Sequence, residues 1–281
     1  MTPSSAERSD VLRALLADHT VAMPGAFNAL SARLIERENF EALYVSGAVL
    51  SNSVGGVPDV GLMTLTESAA HCAHIASVTT IPIIADADTG YGGSDNAART
   101  VRVLEAAGVS GIHLEDQEFP KRCGHLEGKR LVSIEEFCEK IAAACEAKTS
   151  EDFLLIARTD ARAVEGYDAA VRRAHAYLEA GADAIFPEAL ETIEEFRCFA
   201  QDVDTILLAN MTEFGKTPFL SVDRFAELDY NIVIFPVTLQ RVAMRAVEEA
   251  LGVLQREGSQ RALLDRMQTR EELYDLLDYD A

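Results

Sequence analysis

Nowhere in this sequence do apolar residues run to the roughly eighteen in a row that a membrane-crossing helix needs, so no membrane span is expected. The opening residues, MTPSSAERSD, lack the basic stretch followed by an apolar one that marks a secretory signal. Positive charge is scarce: 25 Lys and Arg stand against 46 Asp and Glu, a net charge of −21. A surface of that sign repels nucleic acid and anionic membranes, which excludes both as partners. It still permits an anionic substrate held by a few buried arginines. Cysteine is also sparse. Cys72, Cys123, Cys138, Cys145 and Cys198 are odd in number and show no CxxC spacing, as expected of reduced thiols in a cytoplasmic protein. No Gly- or Pro-rich linker and no low-complexity tract interrupts the chain, so residues 1–281 are expected to form a single domain.

What is present is a repeating pattern. Short apolar runs begin at Val21 (VAMPG), Ala42 (ALYVSG), Ile81 (IPIIADAD), Gly111 (GIHLED), Phe153 (FLLIARTD), Ala184 (AIFPEA), Thr205 (TILLAN) and Ile232 (IVIFPV). Amphipathic stretches such as NAARTVRVLEAAG and DAAVRRAHAYLEAG lie between them, the latter closed by a glycine that stops a helix. Strands alternating with helices build parallel βαβ units. Their number and the chain length predict an α/β fold, a single (β/α)8 TIM-type barrel, with extra N-terminal and C-terminal helices at 6–18 and after 258.

The runs stay apolar until their last residues. There the sequence places Tyr44 and Ser46-Gly47, Asp86 and Asp88, Glu115-Asp116, Arg158 with Asp160, Glu188, and Asn210. In a barrel these ends share one face, the face where such folds keep active sites. Asp86 and Asp88, two apart, project to the same side of a strand. With Glu115 next door they offer hard oxygen ligands and no soft ones, a set suited to Mg²⁺ or Mn²⁺ rather than structural zinc. Arg158 suits two-pronged capture of a carboxylate.

Three connections on that face are long and glycine-bearing, at 48–64, 117–132 and 211–220, and are candidates for lids. The second falls largely within EDQEFPKRCGHLEGKR, residues 115–130, which sets Cys123 among Lys121, Arg122 and His125. Such neighbours favour thiolate character. Zinc binding at Cys123 and His125 fails for want of two further soft ligands.

ADADTGYGG, EDQEFPKRCGH, ARTDA, FPEA and NMTEFGKTP together resemble the isocitrate lyase/phosphoenolpyruvate mutase superfamily from about residue 10 to the C-terminus. The Lys-Arg-Cys-Gly-His motif is similar to that of its lyase branch, and NMTEFGKTP and MQTREELY are most similar to the methylisocitrate lyases. The resemblance implies Mg²⁺-dependent cleavage of 2-methylisocitrate to pyruvate and succinate by a homotetramer with exchanged C-terminal helices. It implies that Asp86, Asp88 and Glu115 hold the metal and that Cys123 protonates the carbanion left by cleavage, in a catalytic group with Tyr44, His125 and Glu115. For that role the thiol must be protonated at rest. Tyr44 and a metal-bound water are the candidates for the base. Ser46, Gly47, Gly124, Arg158, Glu188, Asn210, Thr212, Arg241 and Arg270 are implied to bind substrate. The motif flank is shared with 2,3-dimethylmalate lyases and carboxyphosphonoenolpyruvate mutase-like members, and oxaloacetate hydrolysis also belongs to the superfamily. The substrate within it therefore stays open.

Overall fold

A computed structural model describes residues 2–280. Eight parallel strands occur in it: β1 (Val21–Pro24), β2 (Leu43–Val45), β3 (Ile83–Asp86), β4 (Gly111–Glu115), β5 (Leu154–Thr159), β6 (Ala184–Pro187), β7 (Ile206–Asn210) and β8 (Ile232–Phe235). Each falls within one of the apolar runs. Each strand pairs with the next in sequence from β2 to β8, and β8 pairs in turn with β1. Closure between β1 and β2 rests on a single bridge, Gly25 to Tyr44, with the Ala26 N–H donating to the Tyr44 carbonyl at 2.9 Å. Only glycine fits at position 25, because an added Cβ would lie 2.1 Å from the Pro236 carbonyl oxygen.

The helices follow the strands in turn. α1 (Ser5–Asp18) precedes the barrel, α2 (Ala29–Arg37) follows β1, and α3 (Gly47–Leu50) with α4 (Leu65–Ala76) follows β2. Then come α5 (Ser94–Ala106), α6 (Ile134–Glu146), α7 (Ala161–Val164), α8 (Tyr167–Glu179), α9 (Ile193–Asp202) and α10 (Val222–Ala226). The chain ends with α11 (Thr238–Glu257) and α12 (Arg270–Leu276). Their starts are written in the sequence: Ser4 with Glu7, Thr64 with Glu67, and Thr269 with Glu272 form reciprocal capping boxes. The expected loop at 48–64 is partly helical, since α3 runs on into a π-turn at Ser51–Gly55.

Alternation along the strands divides the core in two. Ile83, Ala85, Ile112, Leu155, Ala157 and Ile185 face outward and pack beneath the helices. Met23, Tyr44, Ile84, Ile156, Phe186, Leu208 and Ile234 face inward and fill the barrel. Leu12 and Leu16 of α1 join this inner group beside Val21, Leu154 and Ile232 at the strand starts, so α1 plugs the N-terminal end. Buried Arg8 anchors the plug by donating to the carbonyls of Gly108, Ala76 and Thr79. α11 is different: of its residues only Gln240 is buried, while Val242, Met244, Val247, Leu251 and Leu254 lie exposed.

Candidate active site

Inward parity brings Tyr44, Asp86, Glu115, Arg158, Glu188 and Asn210 to one mouth, each on its own strand or just past its end. The cavity there measures about 460 Å³ and is lined by these residues other than Glu115, together with Asp59, Cys123, Gly124, His125, Thr212 and Arg241. Asp116, the residue after Glu115, has the opposite parity. It points behind the sheet, where it accepts from Thr159 Oγ1 and Tyr177 Oη at 2.8 Å and from the Asp160 N–H at 2.9 Å. This acid supports the site from outside and is no part of it.

Charge in the mouth is arranged in alternation. Arg158 lies between three carboxylates: Asp160 at 3.0 Å, Glu188 at 3.2 Å and Glu115 at 3.5 Å. Its Nη1 enters none of these contacts and stays available for a ligand. Burial opposes ionisation of Glu188, but Arg158 and His125 outweigh it and hold this carboxyl well below the ordinary range. On the other side Lys121 Nζ bridges Asp59 at 2.5 Å and Asp88 at 2.7 Å. Burial pushes Asp88 up to about 6 against the pull of Lys121. It also holds Glu115 well above the usual carboxylate range, while His113, Lys121 and Arg158 together overcome burial at Asp86 and lower it. Asp88 reaches inward from beyond the strand end with φ +47°, a left-handed conformation an aspartate tolerates.

The expected metal trio is therefore gathered at one place, yet among the described residues no three such side chains already converge as a formed ligand cluster. Like charges this close repel, and Lys121 holds Asp88 at 2.7 Å on the side of Asp59. Two features nonetheless fit a hydrated hard cation. Glu115 Oε1 is buried with no hydrogen-bond partner. Gly47 leaves space beside the acids, since a Cβ there would sit 2.9 Å from Asp86 Oδ2 and 3.3 Å from Asp88 Oδ1.

Cys123 hangs over this ring on the loop that joins β4 to α6. The loop is zipped at its base by the Gln117–Leu131 bridge and by the Glu118 N–H donating to the Arg130 carbonyl at 2.8 Å. The expectation of thiolate character is corrected here. Lys121 is spent on Asp59 and Asp88, Arg122 donates to the Glu127 carbonyl, and His125 turns to Glu188. Burial pushes the thiol pKa up, only partly offset by the His125 backbone N–H, so Cys123 is a protonated thiol at neutral pH. Gly124 follows because nothing larger fits: a Cβ there would meet the Arg158 guanidinium at 2.4 Å and Glu188 at 2.5 Å.

The remaining expected residues divide. Ser46 is buried and caps α3; the Gly47 N–H donates to Asp86 Oδ2 at 3.1 Å; Asn210 Nδ2 donates to Glu188 at 3.3 Å, and Asn210 Oδ1 accepts from the Thr212 N–H at 3.0 Å. Arg241 reaches the rim, half exposed over the Phe214 ring and donating to the Glu213 carbonyl at 2.8 Å. Arg270 does not come to the mouth. It opens α12, which docks on α2 through Arg33–Asp278 at 2.9 Å and Arg37–Asp275 at 3.8 Å. Two residues enter that motif reading passed over. Asp59 arrives from GGVPDVG, and His113 lies wholly inside the barrel with Nε2 2.7 Å from Tyr44 Oη. Burial lowers His113 to about 4, so it is neutral, and burial beside Asp86 keeps the Tyr44 phenol protonated.

A barrel with acids on adjacent strand ends and a protonated thiol on the β4 loop defines a class, and comparison with known proteins agrees with it. The family model described as phosphoenolpyruvate phosphomutase matches residues 12–254. The chain belongs to the isocitrate lyase/phosphoenolpyruvate mutase superfamily. Among its relatives is the 2-methylisocitrate lyase of Aeropyrum pernix, 52% identical over 96% of this chain and 87% of that protein. In structure it is similar to 2,3-dimethylmalate lyase, with a TM-score of 0.92 and 38% identity over 99% of this chain and 93% of that one. It is also similar to phosphonopyruvate hydrolase in complex with oxalate and Mg²⁺, with a TM-score of 0.87 and 36% identity over 99% of this chain and 95% of that one.

Proposed function

We propose that the protein is a carbon–carbon lyase that cleaves 2-methylisocitrate to pyruvate and succinate with Mg²⁺, Mn²⁺ serving as a substitute. The observation that carries the reading is the protonated Cys123 thiol lining one cavity with Asp86, Lys121 and Arg158, which Asp88 and Glu115 flank through Lys121 and Arg158. The likeness to the Aeropyrum pernix enzyme supports the choice of substrate.

Asp86, Asp88 and Glu115 would hold the cation, which supplies Lewis-acid polarisation of the substrate's hydroxyl and neighbouring carboxylate. Arg158, through its uncommitted Nη1, and Arg241 at the rim bind carboxylates. Ser46, Gly47, Gly124, Asn210 and Thr212 shape the rest of the wall, and Glu188 fixes the pose of Arg158 and Asn210. Transfer of the hydroxyl proton to a base, a role left to a water at the acid ring, drives cleavage of the adjacent carbon–carbon bond, forms the carbonyl of pyruvate and leaves a succinate carbanion. Cys123 delivers its proton to that carbon, which a resting thiolate could not do. Tyr44 stays protonated, so it serves better as a hydrogen-bond donor to substrate than as the base.

The exposed apolar face of α11 supports assembly into a homotetramer with exchanged C-terminal helices. If Arg270 binds substrate, it must come to a mouth from a neighbouring copy, because it does not reach its own. No described helix is long and apolar enough to cross a membrane. Purified protein given Mg²⁺ and 2-methylisocitrate should release pyruvate and succinate in equal amounts. Failure to release either above the enzyme-free rate would sink the reading.

A further inference from the structure

His125 occupies a position that proton transfer does not explain. Its Nδ1 accepts from the backbone N–H of Lys216 at 3.1 Å. A ring nitrogen that accepts carries no proton, so the imidazole proton sits on Nε2. Nε2 lies 3.1 Å from Glu188 Oε1, close but off the line of a well-aligned hydrogen bond. Nδ1 is thus engaged by the protein while Nε2 faces Glu188 without a hydrogen bond, on a side chain only 9% exposed. The ring joins three pieces of chain: the 117–132 loop that carries Cys123, the 211–220 loop that carries Lys216, and Glu188 at the end of β6.

The seat for the ring is made by Gly215. A Cβ at that position would fall 2.6 Å from Nδ1 and 2.8 Å from Cε1 of His125, and the glycine does not need a left-handed φ. Space for the imidazole is therefore what alanine would remove there. The same loop is tied from its other end by buried Lys129, which donates to the Gly124 carbonyl and lies 2.7 Å from Asp160. Cys123 immediately precedes both tied residues, Gly124 and His125, in the same loop.

We propose that His125 is a latch that fastens the Cys123 loop to the 211–220 loop, so that one closing motion seats the thiol and seals the mouth. It is a positioning residue for Cys123, acting through the Lys216 amide and the Gly215 seat. The role as positioning residue rests on Cys123 being the proton donor; the latch itself does not.

The test uses full-length protein and four variants: His125→Ala, His125→Asn, Gly215→Ala and the double variant His125→Ala/Gly215→Ala. Iodoacetamide alkylation of Cys123, located by peptide mass spectrometry without substrate, is compared as the limiting rate of the fully ionised thiol, so that access and not acidity is read. Loss of one hydrogen bond from a closing equilibrium corresponds to about 1.4 kcal/mol, or roughly ten-fold. His125→Ala and Gly215→Ala should each speed alkylation by about that factor and lower kcat/KM together. The Asn amide oxygen replaces Nδ1 as acceptor of the Lys216 N–H, so His125→Asn should keep alkylation near the wild-type rate. With the ring gone, Gly215→Ala has nothing to displace, and the double variant should match His125→Ala.

Equal alkylation of all variants, or alkylation of His125→Asn as fast as that of His125→Ala, overturns the latch. So does a Gly215→Ala effect that persists undiminished without the ring. Should His125→Ala fail to fold, Gly215→Ala and His125→Asn still decide the matter. Should the wild type leave 2-methylisocitrate untouched while alkylation responds as stated, the substrate reading falls and the latch stands.

Discussion

The two ends of the barrel are made from the same strands by opposite means. β5 begins inside the N-terminal end with Leu154, which packs on the α1 plug, and finishes at the mouth with Arg158, held by three carboxylates. At the plugged end stability comes from apolar area removed from water, a non-directional force that tolerates repacking. At the mouth each buried charge must be answered by another at a set distance, because an unanswered one would neutralise instead. The mouth is therefore built under tension, with Glu115 and Asp88 pushed upward by burial while Glu188 and Asp86 are pulled down. Groups driven apart in this way are what acid–base and metal chemistry require.

The largest break in the comparison should come from chelation. Stripping divalent metal removes the counter-charge proposed for Asp86, Asp88 and Glu115 and should abolish turnover, restored by adding Mg²⁺. The plugged end contains no such demand, so the thermal unfolding of the stripped protein should remain cooperative. Full turnover in excess chelator, after verified stripping, would remove the metal from the mechanism.

Next comes Cys123→Ser. A serine hydroxyl is a far weaker acid than a thiol, and loss of a general acid should lower kcat by roughly 10²–10⁴-fold with folding intact. Because burial raises the thiol pKa, wild-type kcat/KM should hold level through neutral pH and fall only above the ordinary thiol range, as the proton is lost. Activity that instead rises with pH through that range would mean the thiolate is the working form. Cys72, Cys138, Cys145 and Cys198 should tolerate serine without comparable loss.

At the opposite end, Leu12→Ala deletes a fully buried plug residue and should cost about 2–5 kcal/mol of stability in denaturant titration, with kcat per folded molecule unchanged. A collapse of kcat in a variant that is still folded would show that the two ends are not separable.

How much of this was legible in the sequence follows from the same contrast. Apolar runs and their polar ends are local signals, so all eight strands and the ring of Asp86, Glu115, Arg158, Glu188 and Asn210 could be read directly. Contacts that depend on loop geometry could not. Asp59 looked like any loop acid until Lys121 folded back onto it. The pull toward thiolate expected from the neighbours of Cys123 is absent, because adjacency in sequence says nothing about where long cationic side chains turn, whereas the protonated thiol that the resemblance implied agrees with its burial. His113 could have been found, since it stands two residues before Glu115 on one strand and must share its inward face. The same parity rule would have set Asp116 apart from Glu115. Arg270 was tied to the site by motif alone, and the described chain docks α12 elsewhere.

The smallest expected effect concerns the apolar share of the mouth itself. Its wall is not charged all round: Phe186, Ile234 and Val237, from the β6 and β8 side, line the cavity opposite the acids of β3. 2-Methylisocitrate differs from isocitrate by one methyl on the carbon that bears the hydroxyl, and such a wall is what that methyl needs. Yet a single methyl in an apolar niche contributes only about 1–3 kcal/mol, so the preference over isocitrate should be roughly 10–200-fold and not absolute. 2,3-Dimethylmalate keeps the apolar groups but lacks the third carboxylate, which leaves a carboxylate-binding arginine such as Arg241 without its partner. A lost charge-assisted hydrogen bond outweighs a methyl, so 2,3-dimethylmalate should be the poorest of the three. Measured kcat/KM values decide the order. If 2,3-dimethylmalate is cleaved best, Arg241 serves its Glu213 and Phe214 contacts alone, and the mouth selects by shape where it was expected to select by charge.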